Sequence, residues 1–189
     1  MQVLDVINDM LGTRGERPVN SLSSPHRLMG ACQDVLARAT RACLSSGWWF
    51  NTEVTTLYPS PEDNRIYLAN DILSVKDNDA QYAQRGRLLY DSLKGTDEFA
   101  GEVKARIVRE LPFESIPETV AVYVAAAAVY RFQRDYDGDS TKTRDLRAER
   151  DIARAFAYAD ETRHSRANLI DINPTLNKIT RLKGYRRSF

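Results

Sequence analysis

The sequence predicts an α+β fold: a four-helix bundle with an inserted antiparallel β domain and an extended C-terminal tail. Three observations predict it. Apolar residues recur at helical spacing over residues 1–47 and again over 112–167. Between them, over 48–111, the period drops to two, and β-branched and aromatic residues gather in short runs. From residue 168 onward neither period persists. A length of 189 residues suits one domain with a sizeable insertion, and 42% hydrophobic residues give it enough apolar surface to bury a core.

The first helix follows from Val3, Val6, Ile7 and Met10, at i, i+3, i+4 and i+7, and Gly12 is its expected stop. Ser24-Pro25 reads as the start of the second helix, with Ser24 as N-cap and Pro25 in the first helical position. Its stripe is Leu28, Cys32, Val35, Leu36, Ala39 and Cys43, closed by Ser45-Ser46-Gly47. Five candidate β segments come next: WWFNTEVTTLY, RIYLA, ILSVK, QYAQRGRLLYD (with a tight hairpin turn at Gly86) and EVKARIVREL. In the last of them Val103, Ala105 and Ile107 alternate with Lys104 and Arg106, which predicts one wet face.

Ser115-Ile116-Pro117-Glu118 has the spacing of a capping box, and the helix it opens should run from Pro117 to about Tyr136. That helix is apolar nearly all round and rich in alanine, so it needs cover on every side, part of it from another subunit. After Asp135-Tyr-Asp-Gly-Asp139 a long charged helix should extend to about His164, with Ala148, Ile152, Ala155, Phe156 and Ala159 as its buried stripe. The domain organisation is therefore 1–47 and 112–167 as two parts of a helical bundle, 48–111 as the inserted β domain, and 168–189 as the tail.

Cys32 and Cys43 lie on one helix about 16 Å apart along its axis. A disulfide needs Cα atoms within roughly 7 Å, so the two are expected to stay reduced in the core. The N-terminus carries Asp5 and Asp9 and lacks the basic region of a signal peptide. The longest apolar run, Val120 to Tyr130, is far short of the roughly 20 residues that cross a bilayer, so no membrane span is expected.

Chemistry-bearing motifs are mostly missing. The chain has no phosphate-binding glycine loop, no HExxH and no CxxC, and His26 and His164 are too few for a His-rich metal site. Asp135, Asp137 and Asp139 begin like a calcium loop, but Gly138 and Leu146 stand where such a loop needs other residues, so they read as turn and cap. Glu110, Glu114 and Glu118 are the carboxylates a glycoside hydrolase reading would select. Glu118 has its capping role, and no sugar groove surrounds the others. No catalytic site and no cofactor are expected.

The charge is uneven. Lys and Arg number 27 against 26 Asp and Glu, a net of +1. From residue 178 onward there are five basic residues and no acid, which leaves 22 basic against 26 acidic residues in 1–177, a net of −4. The chain is an acidic body with a basic tail: Lys178, Arg181, Lys183, Arg186 and Arg187, interleaved with Tyr185 and Phe189. Such a segment fits a solvated terminus, a nucleic-acid arm with cations on phosphate and rings on bases, or a segment that folds onto another protein. Composition does not choose among them.

The order of short motifs adds a resemblance. Asn8-Asp-Met-Leu11, Gly15-Glu16-Arg-Pro18-Val19-Asn-Ser-Leu22, Ser46-Gly47-Trp48-Trp49-Phe50-Asn51, Arg85-Gly86-Arg-Leu-Leu-Tyr90-Asp91, Ile116-Pro117-Glu118 and Arg131-Phe132-Gln133 follow one another from about residue 3 to 170. Together they resemble the tail tubular protein A family of short-tailed phages. The resemblance implies a head-to-tail adaptor made in the bacterial host cytoplasm and built into the virion. Twelve copies form a ring between the portal protein and the tail nozzle (tubular protein B), tail fibres attach near that junction, and DNA passes through the lumen without specific binding. It also implies that the C-terminal segment docks on the portal, which assigns portal contact to Lys178, Arg181, Lys183, Tyr185, Arg186, Arg187 and Phe189. The alternative from another class is a DNA-binding accessory protein that uses the same tail as its arm.

Overall fold

A computed structural model describes residues 1–76 and 81–172. Among them the fold is mixed α+β: helix α1 (Val3–Thr13), helix α2 (Met29–Leu44), strands β1 (Thr52–Leu57), β2 (Ile72–Lys76), β3 (Tyr82–Arg85), β4 (Leu88–Asp91) and β5 (Val103–Arg109), then helices α3 (Glu118–Tyr136) and α4 (Ser140–Ile172). No helix among the described residues is long and apolar enough to cross a membrane.

The helices share one core. Val6, Met10, Cys32, Leu36, Val120, Val124, Phe132 and Ala157 belong to a single buried cluster, which Trp48, Phe113 and Ile116 also join. Helix α3 lies at its centre, packed against α1, α2 and α4. The all-round cover that its apolar surface demands is thus supplied largely within the chain, and Val122 is left exposed. Both cysteines are free and buried. Burial pushes the Cys32 thiol up to about 11 and the Cys43 thiol up to about 12.

The β segment builds two small antiparallel sheets. In the first the strand order is β1-β5-β2, with β5 in the middle, and the second is the β3-β4 hairpin. The β5 alternation is as expected, with Val103, Ala105 and Ile107 buried and Lys104 and Arg106 exposed. In the hairpin Arg85 pairs with Leu88, which leaves a two-residue turn with Gly86 at φ +62°. That is the first central position of a type II′ turn, where glycine avoids the Cβ clash. Asp91 closes the far end of the hairpin by accepting from the Leu93 and Lys94 amides and from Gln81. These bonds, the one from Lys94 foremost, hold its carboxyl below the usual range. The sheets have apolar clusters of their own, Ile66, Leu89, Phe99, Val103 and Ala105 in one and Leu68, Ile72 and Ile107 in another.

Several local expectations are corrected. Helix α1 runs through Gly12 and stops at Gly15, whose φ is +69°. There the Gly15 amide bonds to the Gly12 carbonyl and the Glu16 amide to the Leu11 carbonyl, the paired bonds of a Schellman cap. Helix α2 begins at Met29 with Leu28 as its N-cap, and Ser24-Pro25 precede a turn in which the Met29 amide meets the His26 carbonyl. Ser115 caps nothing either: it closes a 3-10 turn (Phe113–Ser115), Pro117 takes the N-cap position of α3, and the Glu118 carboxylate instead accepts from the amino terminus at 2.7 Å. Residues 48–51 form a turn ahead of β1. RIYLA keeps the alternation of a strand, with Ile66 and Leu68 buried, but pairs only through isolated bridges at Arg65 and Tyr67.

Helix α4 brings the largest change. Its predicted stripe of Ala148, Ile152, Ala155, Phe156 and Ala159 is exposed throughout, and the buried residues are Ala153 and Ala157. Small side chains at the inward positions allow α4 to approach α3 closely, where Thr119 donates to Asp160 and the Arg150 guanidinium lies over the Tyr130 ring. The helix also continues to Ile172, so the tail begins later than residue 168. Ala167, Leu169 and Ile170 are compatible with helix, and the first strong breaker is Pro174, which disfavours helix in the residue before it. Asp139 does act as turn and cap, accepting from the Lys142 amide at 2.9 Å as α4 begins.

Two predictions follow from this packing. Asn51 is buried and bonds to Trp48, Leu44 and Arg109 at once, so Asn51→Ala should cost about 3 kcal/mol in urea unfolding, with three buried partners left unsatisfied. For the thiols, burial raises both above the ordinary 9.0, so the folded chain holds protons that the unfolded chain releases. Their contribution is complete below pH 9 and is lost as pH rises through 11 and 12; alkaline melts of the Cys32→Ala and Cys43→Ala variants should fall less steeply than those of the parent.

Candidate functional site

The residues predicted to contact a partner, Lys178, Arg181, Lys183, Tyr185, Arg186, Arg187 and Phe189, lie outside the described residues. What the structure adds is the body that precedes them. Helix α4, 33 residues long and hence about 50 Å from end to end, leads the chain to them.

One end of α4 meets the junction between helices and sheet. Gly47 has φ +71°, and a Cβ there would sit 2.6 Å from Lys76 Nζ and 2.9 Å from a Val108 methyl. Glycine therefore lets the chain leave α2 directly under the sheet. The Trp48 indole N–H donates to the Cys43 carbonyl at 2.9 Å, and the Trp49 amide donates to Glu161 of α4 at 3.1 Å. The Trp49 ring stacks on His164, 4.4 Å between centroids and 8° from parallel. Gly47, Trp48, Trp49 and Glu161 line a cleft of about 480 Å³ with Glu53, Lys76 and Arg106. Its charges are mixed, and Glu53 is already paired with Arg109 at 2.6 Å.

A second cleft, of about 340 Å³, has a single dominant sign. It lies among α2, α3 and α4 and collects Arg131 and Arg134 from α3 with Arg150 and Arg154 from α4. The Arg150 guanidinium rests 4.6 Å over the Tyr130 ring, and Arg154 lies 5.3 Å from that of Tyr158. Arg134 and Arg150 pair with their sequence neighbours Asp135 and Asp151. Neither Arg131 nor Arg154 has an ion pair among the described residues. Tyr123 closes one wall, and burial, more than any charge, pushes its hydroxyl up. Ala39, Ala42 and Ala127 line the same cleft and keep it open. Guanidinium groups gathered on a partly apolar floor suit carboxylate or phosphate better than lysines would, because each fork bonds two oxygens.

Sequence reasoning missed this cleft. Arg131 and Arg134 are three apart and Arg150 and Arg154 four apart, so each pair shares a helix face. Only the packing of α3 against α4 brings the pairs together. The carboxylates considered for hydrolysis are not brought together as a free set: Glu118 is held by the amino terminus, and Glu110 faces Arg41 at 3.6 Å. A further surface feature is the outward side of α4, where Phe156 is 68% and Ile152 59% exposed.

No arrangement of these side chains alone names a function, but the sequence compares directly with known proteins. A family model described as a tail tubular protein matches residues 4–168. The chain is also 36% identical over 145 residues to the tail tubular protein A of Klebsiella phage KP34, covering 74% of this chain and 76% of that protein. The chain belongs to the tail tubular protein family. Membership makes it a structural protein of a phage tail, in agreement with the resemblance carried by the motif order. The match spans all four helices and both sheets, so the arginine cleft and the outward face of α4 are surfaces of a tail tubular protein.

The inverted burial of α4 in this family member is directly testable. Ala157 is fully buried and Phe156, its neighbour, is largely exposed. Ala157→Leu should overpack the α3–α4 contact and cost about 2 kcal/mol, whereas Phe156→Ser should change stability by less than about 0.5 kcal/mol. Thermal melts of the two variants measure the contrast.

Proposed function

We propose that this chain is the head-to-tail adaptor of a short-tailed phage, a structural connector without a catalytic site, in which twelve copies form a ring between portal and tail nozzle. The family match over residues 4–168 carries the reading. In it the helices form a four-helix bundle, 48–111 is an inserted β domain with its own clusters, and the tail reaches the portal. The β side meets the nozzle, tubular protein B, and tail fibres attach near that junction. Apolar clusters in the β segment that are distinct from the helical core support the idea of two faces for two partners.

The basic tail docks on an acidic portal surface. Lys178, Arg181, Lys183, Arg186 and Arg187 supply the charge, and Tyr185 and Phe189 supply aromatic anchors worth roughly 1–2 kcal/mol each when desolvated. The body, at net −4 over residues 1–177, repels DNA from the channel wall once it is repeated around a ring. DNA then passes without being gripped.

A chain truncated after Asn173 tests the tail. It should melt at the temperature of the full chain and fail to join portal rings in a pull-down. Undiminished co-assembly refutes the tail contact, and steeply salt-dependent binding of the full chain to duplex DNA supports the accessory-protein alternative instead.

A further inference from the structure

We propose that the arginine cleft of one copy receives the outward face of α4 from a second copy, so that neighbouring subunits join head to tail through two different surfaces. The proposal rests on the ring reading above and names the residues that would close the ring. On the outward face Ile152 and Phe156 are exposed, and the alanines beside them, Ala148, Ala155 and Ala159, are exposed as well. At 100° per residue the stripe is bordered on one edge by Asp145 and Glu149. Arg150 and Arg154 lie on the opposite side of the helix and line the cleft. One helix thus carries an apolar ridge with an acidic edge on one side of the subunit and helps to form a basic hollow on the other.

The two surfaces complement each other in shape and charge. The cleft has an alanine floor with room for a ring the size of Phe156, and Tyr123 and Tyr130 offer aromatic walls. Among the described residues Arg131, Arg154 and Glu149 make no ion pair, whereas Asp145 already lies 3.5 Å from Arg144. Bringing Glu149 to those guanidinium groups adds an ion pair that the single chain does not make, while Ile152 and Phe156 leave water. Because the ridge and the hollow are different patches, the contact is heterologous, and a heterologous contact that closes gives a ring instead of a dimer.

Two double variants separate the surfaces: Arg131→Glu with Arg154→Glu in the cleft, and Ile152→Ser with Phe156→Ser on the ridge. Far-UV circular dichroism and melting confirm that both fold. In sedimentation velocity the unaltered chain should associate with rising concentration, and each variant alone should associate on the order of a hundredfold more weakly, the cleft variant because like charges oppose each other and the ridge variant because its apolar anchors are gone. Mixed, they should form a one-to-one dimer that grows no further, because one intact cleft and one intact ridge remain on different molecules. A cleft variant that assembles like the parent, or a mixture that grows past the dimer, overturns the assignment. Assembly of the unaltered chain that both variants reproduce does the same, and leaves the ring reading standing. A parent chain that stays monomeric to millimolar concentration overturns the interface; its loading onto portal rings, scored in parallel, shows separately whether the adaptor reading survives.

Discussion

The side-chain amide of Asn51 is the joint on which helices and sheet depend. Its oxygen accepts from the Trp48 amide at 2.7 Å, and its nitrogen donates to the Leu44 carbonyl at 3.1 Å and the Arg109 carbonyl at 2.8 Å. Those three partners are the turn after α2, the end of α2 and the end of β5. Arg109 returns the contact by donating its own amide to the Asn51 carbonyl. A buried group with four possible hydrogen bonds is costly unless each is placed, so once placed it fixes the relative position of everything it touches. Gly47 makes the joint sterically possible, and the Trp49 contacts to Glu161 and His164 extend it to α4.

Around that joint the helical layer is organised by size as much as by apolarity. Helix α4 turns Ala153 and Ala157 inward, and it packs closely on α3. The consequence for function is indirect but strong. By placing its small residues inward, α4 turns Ile152 and Phe156 out and carries Arg150 and Arg154 to the side where Arg131 and Arg134 wait. One packing choice therefore produces both the exposed ridge and the basic cleft. A structural protein of a phage tail, which associates with other tail components, has a use for such surfaces, whereas an isolated monomer would gain nothing from them.

Much of this was legible in the residues. The β5 alternation, the Gly86 hairpin, the end of α3 near Tyr136 and the burial of both cysteines follow from period and turn chemistry. What was not legible has identifiable causes. Ser24-Pro25 and the Ser115–Glu118 pair have capping spacing, yet the chain spends those residues on turns, and Glu118 is claimed by an amino group 117 residues away in sequence. The α4 stripe was misread because periodicity counts how apolar a residue is, not how closely the facing helix approaches. The arginine cleft needs two helices to exist, so no single window of sequence contains it. The family was legible in the order of short motifs, each weak alone, and the matches over residues 4–168 agree with that order.

The central claim, an adaptor ring at the head-to-tail junction, is tested most directly by electron microscopy of the chain mixed with its portal. The account predicts twelve-fold rings of this chain stacked on the portal, with an open axial channel. Portal rings left bare at saturating chain, or decorated without twelve-fold order, would contradict it.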